Sequence, residues 1–321
     1  MKVIAYSLLI ASTLSASVPI IGSRIPARAS RNPAQTSRVK RVINGSNADL
    51  TDFPYISNQD TLRNNSWTSC GGSLISSKHI LTSAQCVHFG LETPAPSKDF
   101  ILSYGNTNLE AFAEDTFNID SYIVHPGFKY DEYKTNDIAI IVLKEPVDSS
   151  VASFAKIYDL PVTEGMISSA PGWGDRLGPN PRLLKKTDQK VSSGERCVRY
   201  NEKWNGNTGD TICIQENGIS STCFGDAGGP LALIDLPGSP IIGINSFFQY
   251  FGPLQFFGCN SINTTSYYTN VIKHIDFISE SISVPKELLL YSTEGTNQEK
   301  DISIEKITGR KRISKRSTKN D

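Results

Sequence analysis

Short runs of β-branched and aromatic residues alternate with Gly, Pro, Asn, Ser and Asp over most of the chain, as in Gly71–Ser77 (GGSLISS) and Ile138–Leu143 (IAIIVL). Runs of that length between turn-forming residues predict strands, not helices. Near the end the period changes. Val271, Ile272, Ile275 and Ile278, with Phe277 between them, recur at helical spacing and predict one helix over Tyr268–Glu280. The stretch 42–281 therefore predicts an all-β domain closed by a C-terminal helix, with a length that suits one double-barrel domain better than two independent ones.

Both flanks differ in character. Lys2 precedes an apolar run, Val3–Leu14, and the small residues Ser15, Ala16 and Ser17 follow, which predicts a signal peptide over 1–17 and a secreted, extracellular protein. The run is too short for a membrane span. Residues 18–41 are rich in Arg, Ser, Ala and Pro without apolar periodicity and predict an unstructured propeptide. It ends in Arg38-Val39-Lys40-Arg41, which suits a furin- or kexin-like convertase cutting between Arg41 and Val42; the bland alternative is a basic solvated linker. Residues 282–321 are dense in charge, Ser and Thr and predict a disordered tail. Its basic clusters at Arg310–Arg312 and Lys315-Arg316 fit a second trimmed segment, a polyanion-binding tail or plain solvation.

Composition narrows the function less than the pattern does. The 32 basic and 32 acidic side chains balance, so no global charge favours nucleic acid or an anionic membrane. The six cysteines become informative once secretion is expected, because an oxidising compartment lets them pair. None forms a Cys-x-x-Cys pair and only four histidines exist, so no metal and no cofactor is expected. The chain contains no internal repeat.

Several ordered motifs carry a family resemblance. Leu81-Thr82-Ser83-Ala84-Gln85-Cys86, Asn136-Asp137-Ile138-Ala139 and Thr222-Cys223-Phe224-Gly225-Asp226-Ala227-Gly228-Gly229-Pro230 stand in that order. Cys70–Ile75 (CGGSLI) precedes them, and His125–Phe128 (HPGF) and Gly172-Trp173-Gly174 lie between them. Together these resemble the histidine, aspartate and nucleophile motifs of the trypsin/chymotrypsin-like serine proteases across essentially all of 42–281. The resemblance implies two packed six-stranded antiparallel Greek-key β-barrels. It also implies a triad in the order histidine, aspartate, serine. Here those positions hold Gln85, Asp137 and Ala227.

Two of the three catalytic groups are thus missing. An amide is not a usable base near neutral pH, and a methyl group cannot attack a carbonyl. An engineered trapping mutation would have left the histidine in place, so the pair of changes reads as a natural pseudoenzyme. His88, the nearest spare base, reads as a surface histidine. Asp137 is expected to hydrogen-bond Gln85, the alternative being a leftover acid with a new role.

The resemblance implies further roles. Gly225 and Ala227 stand where the oxyanion-hole amides lie. Val42-Ile43-Asn44-Gly45 resembles the new N-terminus of a cut zymogen, whose amino group would pair with Asp226. Ser221, Ser246, Phe247, Phe248 and Ser266 would line the specificity pocket, with Phe248 crowding its entrance where the family usually has glycine. Phe247 and Phe248 begin an aromatic-rich stretch to residue 257 that either fills the degenerate pocket or forms an exposed docking patch. The implied disulfides are Cys70–Cys86, Cys197–Cys213 and Cys223–Cys259. Asn64 and Asn263 are glycosylation candidates, whereas the Asn44 sequon lies in the segment that should insert. The reading is a secreted serine protease homologue without activity that binds an extracellular protein, such as an active protease or a foreign hydrolase. The rivals are a hydrolase with an unconventional site and a structural extracellular glycoprotein.

Overall fold

A computed structural model describes residues 44–63, 66–88, 100–109, 118–174, 182–253, 259 and 261–291, and all of them fall in a single compact unit. The expected signal peptide, propeptide and Arg41–Val42 junction, together with Asn64, lie outside the described residues.

In chain order the strands are β1 (Ser46–Asn47), β2 (Ile56–Arg63), β3 (Ser66–Ser76), β4 (His79–Thr82), β5 (Phe100–Tyr104), β6 (Ile119–Val124), β7 (Ala139–Leu143) and β8 (Ile157–Tyr158). There follow β9 (Ile167–Gly172), β10 (Lys185–Lys190), β11 (Thr211–Gln215), β12 (Pro230–Leu233), β13 (Ile241–Tyr250), β14 (Thr264–Asn270) and β15 (Leu290–Tyr291). Helices are few and short: α1 (Gln85–His88), α2 (Glu195–Tyr200), α3 (Ile275–Ile282) and α4 (Lys286–Leu289).

The expected two-sheet architecture is present. One six-stranded sheet runs β5-β2-β3-β4-β7-β6 and is antiparallel throughout. The other contains nine strands rather than six, on the path β1-β10-β9-β12-β13-β14-β11 with β8 and β15 beside it. The additions are the two-residue strands β1, β8 and β15, and the β13–β8 and β8–β15 pairs are parallel, unlike the expected all-antiparallel barrel.

The sheets bury β-branched and aromatic side chains as the pattern predicts. Phe53, Leu74, Ile138, Ile140, Ile157 and Ile241 belong to a cluster shared by both halves. Strand β2 departs from simple alternation. Ser57, Asn58, Gln59, Asp60 and Thr61 are all buried, and a polar network engages Asn58, Asp60 and the Gln59 amide nitrogen, whereas Ser57 Oγ and Gln59 Oε1 find no partner among the described residues. Arg182 makes the ionic centre of that network, at 2.8 Å from Asp60 with both side chains nearly inaccessible.

The C-terminal segment corrects two expectations. Tyr268–Asn270 complete the wholly buried β14, and a 3-10 turn over Val271–His274 precedes α3. The helix therefore starts at Ile275, because the preceding Thr and Tyr residues pair with β11 and β13. The tail expected from 282 is ordered through Tyr291. Leu289 is buried, Leu290 and Tyr291 pair with β8, and Lys156 donates to the carbonyl of Leu288. Apolar Leu288, Leu289 and Leu290 supply the burial that the charged residues around them conceal.

Candidate functional site

Three segments from the two sheets meet at Asp137. Strand β4 ends at Thr82, and the turn through Ser83 and Ala84 opens α1 with Gln85 as its first residue. The disulfide Cys70–Cys86 fastens that turn to β3. Asp137 precedes β7; Asn136 before it adopts φ 51° and donates its side-chain amide to the carbonyl of Gly127. Asn residues tolerate this left-handed conformation better than most, which suits the tight approach to β7.

Asp137 is fully buried and receives three hydrogen bonds. The backbone N–H of Gln85 reaches Oδ1 at 2.8 Å. Gln85 Nε2 and Ser246 Oγ reach Oδ2 at 2.7 and 2.5 Å. Burial pushes its carboxyl up to about 6, against the pull of Ser246 and Gln85.

Gln85 Nε2 also donates to the carbonyl of Ser246 at 2.6 Å. Ser246 sits where the register of β13 against β14 slips between Asn245 and Phe247. A bulge leaves its extra residue outside the ladder. The carbonyl of Ser246 is thereby available to Gln85.

Ala227 lies in the loop from Cys223 to Pro230. Its carbonyl accepts from Gly71 N at 2.7 Å, and Gly228 N donates to Asn245 O at 2.7 Å. The loop presses so closely on β3 that a Cβ on Gly71 would lie 2.7 Å from Gly229 Cα. Gly228, at φ 80°, would bring a Cβ to 2.5 Å from the carbonyl of Gly71. Both positions require glycine for backbone contact.

Asp226 points the other way, into the interior. Gly174 N and Cys223 N donate to its two oxygens, each at 2.9 Å. Burial raises its carboxyl to about 7. Its expected partner, the amino group of Val42, belongs to a residue outside the described set.

A cleft of about 430 Å³ opens over this junction. Gln85, Gly225, Ala227, Ser246, Phe247, Phe248 and Ser266 all line it. Ser221, expected at the pocket base, is buried and does not appear in that wall. Behind Ser266 is a residue that no sequence motif marks: Glu216, also buried, accepts from Ser266 Oγ at 2.7 Å. Burial raises its carboxyl to about 8. Nothing in a lone acidic residue ahead of an Asn-Gly pair signals this position; only the pairing of β11 with β14 brings it beside Ser266.

The aromatic stretch divides. Phe247 stacks on the buried ring of Tyr267 at 4.9 Å and so packs inward. Phe248 meets Phe224 edge to face at 5.6 Å beside the cleft, which stays open. Phe251 is 54% exposed and stacks on Tyr200. Residues 254–257 lie outside the described set. His88 packs edge-on against Phe128 and does not line the cleft.

The remaining disulfides are Cys197–Cys213 and Cys223–Cys259, as the resemblance implied. Asn263 is half-buried beside β14. No helix among the described residues is long and apolar enough to cross a membrane.

Residues 42–278 match the protein family described as Trypsin. The chain belongs to the trypsin family. It is 30% identical over 258 residues to chymotrypsin-C of Mus musculus, covering 76% of this chain and 90% of that protein. A CLIP domain-containing serine protease, B4 of Anopheles gambiae, is likewise 30% identical, over 75% of this chain and 70% of its own length. Among solved structures, HL collagenase superposes with a TM-score of 0.59 at 27% identity, covering 76% of this chain and all of its own.

Proposed function

We propose that this chain is a secreted, non-catalytic trypsin-family protein that acts by binding an extracellular protein such as an active protease or a foreign hydrolase. The observation that carries the reading is the bonding of Gln85. Its side-chain nitrogen donates to both Asp137 and the carbonyl of Ser246. The place of the proton-accepting base is held by a group that neither gains nor loses a proton in the working pH range. With Ala227 at the nucleophile position, no acyl-enzyme forms.

The retained framework supports a binding role. The loop around Ala227 keeps its glycines and its close docking on β3, and the cleft remains open. Cleavage after Arg41 by a furin- or kexin-like convertase would free the amino group of Val42 for the buried carboxylate of Asp226. Removal of core triad groups in a related mechanism costs on the order of 10⁶ in turnover.

The test uses the full secreted chain, with and without convertase treatment. A fluorophosphonate probe and a broad peptide library should show no serine labelling and no hydrolysis above background. Labelling or turnover that survives repurification would overturn the non-catalytic reading. Convertase-dependent binding of a purified protease partner, seen by calorimetry, would support it directly.

A further inference from the structure

The side chain of Gln85 has one permitted orientation. Both neighbours of its nitrogen, Asp137 Oδ2 and Ser246 O, are acceptors, so Nε2 faces them and Oε1 faces elsewhere. Among the described residues Oε1 accepts no hydrogen bond, and Gln85 lines the cleft. A fixed acceptor is therefore offered to whatever enters.

The same cleft offers two donors. The N–H groups of Gly225 and Ala227 bond nothing among the described residues. Their neighbours in the loop are committed, Asp226 N to Cys223 O and Gly228 N to Asn245 O. Both glycine and alanine line the cleft.

Charge is missing from the wall. None of the described lining residues is Lys, Arg, His, Asp or Glu. The charged residues stand one hydrogen bond behind it: Asp137 behind Gln85, Glu216 behind Ser266, and the Asp60–Arg182 ion pair behind Ser69. A ligand carboxylate would lose water and gain no counter-ion at the wall, since Arg182 is already paired with Asp60; a cation would find no exposed partner. A neutral group with one acceptor and one donor meets neither cost.

We propose that the cleft binds a neutral primary carboxamide at the end of an amidated peptide, its carbonyl oxygen taking the N–H groups of Gly225 and Ala227 and its NH₂ donating to Gln85 Oε1. This rests on the binding-protein reading and gives it a ligand chemistry. The aromatic rings of Phe224 and Phe248 at the mouth favour a chain end with an aromatic side chain.

The full convertase-treated chain is titrated with N-acetyl-phenylalaninamide, the matching free acid and the matching methyl ester. The expected order is amide first, with the acid weaker by about ten-fold or more and the ester by roughly five-fold, since the ester keeps the acceptor but lacks the donor. Gln85→Met removes the acceptor and should bring amide and ester level. If Gln85→Met does not fold, Gln85→His takes its place; at acid pH its imidazolium donates into the cleft and should turn the preference toward the acid. Equal affinities, tighter binding of the acid, or no binding of the amide at millimolar concentration overturns the proposal. Ammonia release from the amide during the same titration would instead overturn the non-catalytic reading.

Discussion

Gln85 holds Asp137 with two nitrogens at once, its backbone N–H at 2.8 Å from Oδ1 and its side-chain amide at 2.7 Å from Oδ2. The carboxylate is inaccessible to water and links both sheets through Ser246. Replacing it with alanine strands two side-chain donors and one backbone donor in the interior. Asp137→Ala should cost about 3–5 kcal/mol in urea denaturation, whereas Asp137→Asn should cost less because it retains one acceptor. A loss below about 1 kcal/mol for the alanine variant would show that the junction is not structural.

Rebuilding the chemistry requires both lost groups. Ala227→Ser supplies an oxygen with no base to activate it, and Gln85→His supplies a base with nothing to activate. Each single variant should stay unlabelled by a fluorophosphonate. The double variant should label, because Asp137 is already placed to hold the imidazole and the Gly225 and Ala227 amides are free. Labelling of Ala227→Ser alone would reveal a base elsewhere in the cleft.

Much of the architecture was legible in the sequence because strand pattern and motif order are local properties. Gln85, Asp137 and Ala227 could be placed from their neighbours, and the disulfide partners followed from the family likeness. What escaped depended on contacts between distant segments. Glu216 acquires its meaning only when β11 lies against β14, and among the five consecutive polar residues that β2 hides, Asn58 and Asp60 are engaged by Arg182 from a distant segment. The helix starts later than its periodicity predicts for a related reason. Tyr268 and Thr269 continue a helical pattern on paper, but two flanking strands capture them.

The ion pair between Arg182 and Asp60 tests that polar layer. Arg182 Nη1 lies 2.8 Å from Asp60 Oδ2, and further bonds reach Asn58 and Ser69. Arg182→Met removes the cation and leaves the buried carboxylate without it, so a loss of about 3–5 kcal/mol is expected. Adding Asp60→Leu should recover much of that loss, since a well-packed apolar pair often matches a buried ionic one. Additive losses in the double variant would contradict this account.

The ordered segment after α3 gives a separate test. Leu289 is 2% exposed, whereas Glu287 two residues earlier faces solvent. Leu289→Ala should destabilise by about 2–4 kcal/mol in chemical denaturation. Glu287→Ala should change stability by no more than about 0.5 kcal/mol. Indistinguishable variants would mean that the burial of β15 and α4 contributes nothing to the fold.

In the uncut chain, where no freed Val42 amino group meets Asp226, stability should also fall as the medium becomes alkaline. Burial raises Glu216 from 4.5 to about 8, Asp226 from 3.8 to about 7 and Asp137 from 3.8 to about 6. A raised folded value means that the native state holds protons the unfolded chain has released. The stabilisation is complete below the unfolded value and is lost as pH climbs through the folded one. His274 acts oppositely: burial lowers it from 6.5 to about 4, so its contribution is full above 6.5 and lost on acidification. Between pH 6.5 and 8 the histidine is therefore silent, and the acids alone set the slope. Each proton so linked is worth up to about 1.4 kcal/mol per pH unit. The melting temperature should drop by several degrees across that interval. Glu216→Gln, which keeps the acceptor for Ser266 Oγ without a titrating proton, should flatten the upper part of the decline. A wild-type curve that is level or rising over pH 6.5–8 would refute this assignment of buried, proton-holding acids.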